Sequence, residues 1–284
     1  MGFFHELAKL TRFEHALMLA LAVLIAETIV LGAFPSILTV PIALSLLVPI
    51  FSEMGSFALN DYLDIETDRL NKKTDRPLVK GTIAPKFALW FSILSLAISI
   101  ALSFFINFFS FAIALVFNLL AVLYNWKLKD LPLVGNIYIA LTMAIPFVFG
   151  NFVVSPSLSP VALVLAVLGF VAGLAREIIK SVQDMEGDIK GRKSKTLPVV
   201  IGKRYSLFLA VILYLLFIPL SALPFTMGLK LNLFAIFVGI ADGIVVFIAY
   251  RIYTRPEESY SVARNASLAA FFLGMMGILL SAIL

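Results

Sequence analysis

Long apolar blocks, each closed by a short polar or proline-marked break, run along the chain from Phe13 onward. The blocks are continuous, not alternating, and rich in Leu, Ile, Ala and Phe. They lack the period of two that marks a membrane barrel strand. Crossing the hydrocarbon core takes roughly 20 mostly apolar residues in a helix, and backbone in lipid must be helical or a closed barrel. The pattern predicts nine spanning helices, near 14–33, 37–60, 87–106, 108–125, 133–153, 159–183, 205–223, 231–250 and 262–284. Pro35, Pro132, Pro160 and Pro224 fall at or near the junctions, where a residue without an N–H is tolerated. The expected fold is all-α: an integral membrane bundle around a central cavity open to the cytoplasmic face, capped by charged loops. Residues 1–284 read as one domain.

Composition agrees with this. Of 284 residues 61% are hydrophobic and 14% charged, against about a quarter charged in a soluble domain. The charged residues then orient the spans. All but one of the 22 Lys and Arg fall before the first span, in alternate connections, or in the span ends that border those connections (Arg176, Lys180 and Arg264), and the exception is Lys230. The positive-inside rule places the N-terminus in the cytoplasm, and an odd number of spans places the C-terminus outside. The net charge of +5 reads as this same bias, with no nucleic-acid partner. The leading "FFHELAKLTRFEH" reads as an amphipathic approach to a permanent span and not as a cleaved signal peptide. With no cysteine, disulfides and thiolate metal sites are excluded.

Two polar clusters interrupt this pattern. "NDYLDIETDR" (60–69) closes the second apolar block, and "QDMEGDIKGR" (183–192) follows the sixth. Residues four apart share a helix face. Asn60, Asp64 and Asp68 therefore form one stripe, with Asp61 beside it. Asp184 and Asp188 form another, with Lys180 and Arg192 one turn before and after. Like charges at this spacing repel, and desolvation near the membrane adds cost. The repeated spacing, at equivalent span ends on one side, also hints at two weakly related halves. Carboxylate oxygens suit Mg²⁺, which typically binds one or two carboxylates together with substrate phosphates. Two such stripes, flanked by Lys and Arg and backed by apolar helices, fit an allylic diphosphate: a charged head and a long hydrocarbon tail.

The chain resembles the UbiA-type superfamily of intramembrane prenyltransferases. The family's N-D-x-x-D-x-x-x-D motif is met by Asn60, Asp61, Asp64 and Asp68. The second Asp-rich motif is similar to "DMEGDIKGR", and "NKKTDRPLVKG" resembles the basic loop that follows the first. "YNWKLKDLPLVGN" resembles the family's connection between spans four and five, through Tyr124, Lys129, Pro132, Gly135 and Asn136. Within the superfamily, residues 60–83 and 176–203 are most similar to enzymes of archaeal-type ether-lipid synthesis. That resemblance implies transfer of a geranylgeranyl group from geranylgeranyl diphosphate to the free hydroxyl of geranylgeranylglyceryl phosphate. It implies Mg²⁺, as two ions, on Asp61, Asp64, Asp68, Asp184 and Asp188. Asn60, Asp64 and Asp188 are the expected catalytic residues.

The acceptor's phosphate needs cations of its own, and Arg12, Lys72, Arg76, Lys127 and Lys129 are candidates. Each also reads as a snorkelling interfacial anchor. Tyr124, Lys180 and Arg192 join the expected substrate-binding set. Glu53, seven residues before Asn60, faces the same way deeper in its span, as a cavity residue or a hydrogen-bonded acid between helices. Glu27 and Asp242 are further intramembrane acids. Two other readings remain: prenylation of an aromatic quinone or chlorin precursor, and transport. Transport is disfavoured because the acids sit at span ends and not at the midplane.

Overall fold

The computed structural model describes residues 2–36, 39–192 and 194–284, with the side chain of Arg192 also outside the description. All regular structure among these residues is helical. In chain order the elements are α1 (Phe3–Thr11), α2 (Phe13–Leu31), α3 (Val40–Leu63), α4 (Ile65–Leu70), α5 (Pro77–Lys80), α6 (Pro85–Phe104) and α7 (Phe108–Trp126). A 3₁₀ turn (Leu128–Asp130) leads to α8 (Val134–Val154), α9 (Pro160–Arg192), α10 (Leu197–Ile201) and α11 (Lys203–Ser221). The chain ends in α12 (Leu223–Thr226), α13 (Ala235–Thr254) and α14 (Pro256–Ile283). Among the described residues, 9 segments are long and apolar enough to cross a membrane: α2, α3, α6, α7, α8, α9, α11 with α12, α13 and α14.

The differences from the apolar pattern lie at the ends. The last helix starts at Pro256 and not near 262. Proline suits the first helical position, and Glu257 and Glu258 in the first turn favour the positive end of the dipole. A polar first turn is invisible to a search for apolar runs. The eighth helix starts later, at Ala235. Before it, Asn232 Oδ1 accepts from Phe234 N at 3.1 Å and from Ser281 Oγ at 2.9 Å, which holds the chain in a turn. The sixth span does not stop before its acidic motif: α9 continues for 33 residues. At 1.5 Å per residue that is roughly 50 Å, well beyond the ~30 Å hydrocarbon core. One end of α9 must therefore leave the lipid, and its charged end is the acidic motif.

The chain forms two compact units. The first comprises Met1–Leu21, Ser36–Leu131 and Glu186–Ser194; the second comprises Ala22–Pro35, Pro132–Met185 and Lys195–Leu284. Lipid offers no hydrophobic drive between helices, so small residues and interhelical hydrogen bonds hold them together. In the first unit α6 turns Ser92, Ser95, Ser99 and Ser103 inward, all buried. A Cβ on Gly55 of α3 would lie 2.9 Å from Leu96 Cγ and 3.1 Å from the Ser92 carbonyl oxygen, so only glycine permits this approach. Ser99 Oγ donates to the Val48 carbonyl at 3.0 Å and accepts from Asn118 Nδ2 at 3.2 Å. Ser52 Oγ donates to Asn118 Oδ1 at 2.7 Å, which completes a link through α3, α6 and α7.

At the motif end of this unit, Leu10, Ala58, Leu78, Ile83 and Ala88 form a small core that joins α1 to α3, α5 and α6. Glu6 of α1, buried, accepts from Thr82 Oγ1 at 2.7 Å and from Lys80 Nζ at 3.4 Å. The second unit has a larger core built from Ile178, Ile179 and Val182 of α9, Tyr214 of α11, and Val245 and Ile248 of α13.

Candidate active site

The first acidic motif straddles a break in the helix. Asp64 ends α3 and starts α4, with φ −100° and ψ 8°. The bonds from Asp64 N to the Asn60 carbonyl (3.0 Å) and from Asp68 N to the Asp64 carbonyl (2.7 Å) carry the helical path through it. The expected stripe is therefore preserved. Its carboxylates are buried: Asp61 is 2% exposed, Asp64 6% and Asp68 3%.

Each carboxylate meets cations of the same unit. Arg12 NH2 lies 3.1 Å from Asp61 Oδ1, and Arg76 NH1 pairs with that same oxygen. Arg76 also reaches Asp68 Oδ2 at 3.3 Å, and Lys73 reaches Asp68 Oδ1 at 3.3 Å. Lys129 Nζ stands 2.6 Å from Asp64 Oδ1, both side chains less than one-tenth exposed. Arg12 is held from several sides. It caps α1 in the left-handed region (φ 46°), its guanidinium sits 4.0 Å over the Phe57 ring, and α1 itself is anchored through Glu6. Burial and then Arg76 pull its pKa below the ordinary arginine range, while Asp61, Asp68 and Glu53 oppose them. Arg76 is set by the first residue of α5, Pro77, whose fixed φ starts that helix directly after it.

The end of the second motif belongs to this unit too. Asp188 is buried. Gly187 and Gly191 let α9 lie against α4: a Cβ on Gly187 would collide with the Asn71 amide, and one on Gly191 would come 2.9 Å from Thr67 Cγ2. Ser194 Oγ donates to Asp130 Oδ1 at 2.6 Å. The segment after α9 is thereby tied to the 3₁₀ turn that carries Lys129. Both glycines sit inside a motif singled out for its carboxylates, yet they are what bring that motif to the first one.

Of the other expected site residues, Asn60 is half-buried on α3, and Glu53 lies deeper on the same helix within electrostatic reach of Arg12. Tyr124 is half-buried on α7. Lys72 and Lys127 are exposed, one in a left-handed turn (φ 55°), the other capping α7. In the second unit Asp184 is half-buried, and Lys180 pairs with Glu177 at 2.8 Å. The Arg192 side chain lies outside the described residues. Sequence reasoning missed Lys73, Glu6 and Glu177. Lys73 lies within "NKKTDRP", but nothing in that string separates it from Lys72.

Among the described residues no three acidic or histidine side chains converge as ligands of a single ion. Arg76 bridges Asp61 and Asp68 instead. Asp61 nonetheless has its second oxygen, Oδ2, buried without a hydrogen-bond partner. Such an oxygen is costly to leave unpaired, and a hard oxygen donor is what Mg²⁺ takes. The donor set fits a divalent cation of that kind.

Comparison with known proteins bears on this arrangement. The model of the UbiA prenyltransferase family matches residues 16–276. A digeranylgeranylglyceryl phosphate synthase of Archaeoglobus fulgidus is 34% identical over 275 residues, covering 94% of this chain and 92% of that protein. A solved digeranylgeranylglyceryl phosphate synthase structure is 27% identical, with a TM-score of 0.76 over 100% of this chain and 99% of that one. A UbiA homologue from Archaeoglobus fulgidus, solved with GPP and Mg²⁺, is similar in fold, with a TM-score of 0.69 at 22% identity over 96% of this chain and 99% of that one. Matched by that family model over residues 16–276, the chain belongs to the UbiA prenyltransferase family.

Proposed function

We propose that the protein transfers a geranylgeranyl group from geranylgeranyl diphosphate to the free hydroxyl of geranylgeranylglyceryl phosphate. The product is the second ether bond of an archaeal-type membrane lipid, and diphosphate is released. The observation that carries this reading is the buried trio Asp61, Asp64 and Asp68, surrounded by four cations: Arg12 and Arg76 at Asp61, Lys73 and Arg76 at Asp68, and Lys129 at Asp64. Charge gathered at one helix end of a lipid-spanning bundle is costly and marks a functional site, and a highly charged ligand suits this one. The synthase names of relatives such as the Archaeoglobus fulgidus protein support the choice of acceptor.

In this reaction the C1–O bond of the allylic diphosphate breaks, and its electron pair leaves with the diphosphate. The acceptor's hydroxyl oxygen bonds to C1 and gives up its proton. Asp61, Asp64, Asp68, Asp184 and Asp188 would hold Mg²⁺, as two ions, with Asn60 orienting a phosphate oxygen. The metal would supply charge stabilisation for the departing oxygen. Arg76, Lys73 and Lys129 stand beside the carboxylates, ready to exchange a carboxylate oxygen for a phosphate oxygen, a stronger charge-assisted contact. Closure of the charged loops that follow the two motifs would exclude the water that would quench an allylic cation. We place the N-terminus and these loops in the cytoplasm and the C-terminus outside, from the asymmetry of Lys and Arg.

The test is to incubate membranes containing the protein with radiolabelled geranylgeranyl diphosphate, Mg²⁺ and a panel of acceptors, and to extract the lipids. Label in a prenylated glycerol phosphate is expected. Label in an aromatic ring would move the protein to the quinone-type branch, and no labelled lipid from any acceptor would refute an enzymatic role. EDTA or Asp188→Ala should abolish transfer while the protein stays folded. Near-normal transfer under either condition would overturn the metal assignment.

A further inference from the structure

The second unit carries a charged cluster that the reaction above leaves unused. Arg176, Glu177 and Lys180 lie on α9 beside the buried Ile178 and Ile179. Arg264 reaches in from α14, and its NH1 donates to Gln183 Oε1 at 3.1 Å. Glu177 pairs with Lys180 at 2.8 Å and lies within electrostatic reach of both arginines. The two arginines also act on each other. One carboxylate thus serves three cations, and the four groups carry +2. The next acid along α9, Asp184, is eight residues past Arg176, roughly 12 Å along the axis. Arg176 and Arg264 each have Nε buried without a hydrogen-bond partner among the described residues.

Both features cost free energy within a membrane bundle. Like charges repel more strongly where water is scarce, and a buried donor left unpaired forfeits its hydration. Apolar packing of α9 against α14 would not need either arginine. A doubly charged tetrahedral oxyanion removes both costs at once. It accepts from two planar guanidinium forks, and its −2 charge matches the surplus of +2. A carboxylate would neutralise only half of that surplus.

We infer that Arg176 and Arg264 form a binding site for a phosphate monoester, with Lys180 neutralising Glu177 beside it. Resting on the function proposed above, the occupant is the phosphate of the acceptor lipid. The donor's diphosphate and the acceptor's phosphate then use separate cations: Arg12, Lys73, Arg76 and Lys129 for the one, Arg176 and Arg264 for the other. This differs from the sequence expectation, in which Arg12, Arg76 and Lys129 could serve the acceptor. Those three stand at the Asp61, Asp64 and Asp68 carboxylates, where the function proposed above puts the donor's diphosphate.

The experiment measures equilibrium binding to the full-length protein in nanodiscs. The probes are geranylgeranylglyceryl phosphate, its dephosphorylated alcohol, inorganic phosphate and geranylgeranyl diphosphate. The proteins are wild type, Arg176→Gln, Arg264→Gln and Arg264→Lys. Each Gln variant should lose at least tenfold in affinity for the monoester, with the alcohol and the diphosphate within twofold of wild type. Displacement of the monoester by millimolar inorganic phosphate would identify a free phosphate as an alternative occupant; no displacement would assign the site to the lipid headgroup. Unchanged monoester binding in folded Gln variants overturns the site. So does an equal loss of diphosphate binding, because the cluster would then belong to the donor. If a Gln variant does not fold, Arg264→Lys decides. It keeps the charge and loses the fork, so monoester binding should weaken at least threefold, and no change overturns the inference. If wild type does not prenylate the lipid, yet Arg264→Gln still abolishes inorganic phosphate binding, the acceptor reading falls and the phosphate site stands.

Discussion

The Lys129–Asp64 pair gives the sharpest test of how the charged site is held together. The ammonium stands 2.6 Å from the carboxylate, with side-chain exposures of 7% and 9%. This is the buried regime, in which removing one partner leaves the other charge stranded and costs about 3–5 kcal/mol. Lys129→Met keeps the stem and removes the charge. Asp64 makes other interactions, so the low end of that range, about 3 kcal/mol, is the expected loss. For a domain of 150–250 residues each kcal/mol lowers Tm by roughly 2–4 °C, which predicts a fall of roughly 6–12 °C. Asp64→Asn should cost a similar amount, because the ammonium loses this carboxylate and keeps only its other interactions. The double variant replaces the ion pair by two neutral side chains of nearly the same shape. With neither charge left without its counter-ion, it should lose clearly less than the sum of the two single losses while remaining inactive. The assay is thermal unfolding of all four proteins in one detergent, free of metal. If the two single losses simply add in the double variant, the pair is not coupled. If Lys129→Met melts like wild type, burial of the pair is not the energetic fact the geometry indicates.

Two further outcomes follow from groups away from the reacting atoms. The hydrogen bond from Thr82 Oγ1, followed by the charges of Lys80 and Lys9, holds Glu6 below its ordinary pKa of 4.5 against the opposing effect of burial. A depressed folded-state pKa stabilises above the unfolded value and is lost as pH falls through the folded one. Glu6→Gln should therefore lower Tm at neutral pH and match wild type in acid, and a gap that widens in acid would contradict the assignment. Gly150 packs against α2, where a Cβ would come 2.5 Å from the Val23 carbonyl oxygen and 3.0 Å from Ala26 Cβ. A backbone oxygen cannot swing aside as a side chain can, so Gly150→Ala should cost about 1–3 kcal/mol of stability in a denaturation series; no cost would mean that the helices do not approach this closely.

The spans were legible because a bilayer imposes a length and a composition that few other environments require. Their ends were less so. Pro256, Glu257 and Glu258 start a helix with polar chemistry, and an apolar window does not register it until several residues later. The acidic residues of the site were legible for a related reason: Asp61, Asp64 and Asp68 are conspicuous at the end of a run of Leu, Ile and Phe, and local periodicity alone gives their shared face. Their cations were not. Arg12 meets Asp61 across 49 residues of sequence, and Lys129 meets Asp64 across 65. Every basic residue in those loops also satisfies the positive-inside rule, so its presence there carries no further information. What selects Arg12 over Lys9, or Lys73 over Lys72, is backbone geometry: the left-handed cap that points Arg12 over Phe57, and the left-handed turn at Lys72 that leaves it exposed beside the paired Lys73. The glycines are the same case in reverse. Gly187 and Gly191 look like spacers on either side of Asp188, and their role emerges only when Asn71 and Thr67 occupy the space their missing side chains leave. Carboxylates in a membrane protein announce a site by their cost. The groups that offset this cost are ordinary in the sequence, and only their positions in the fold distinguish them.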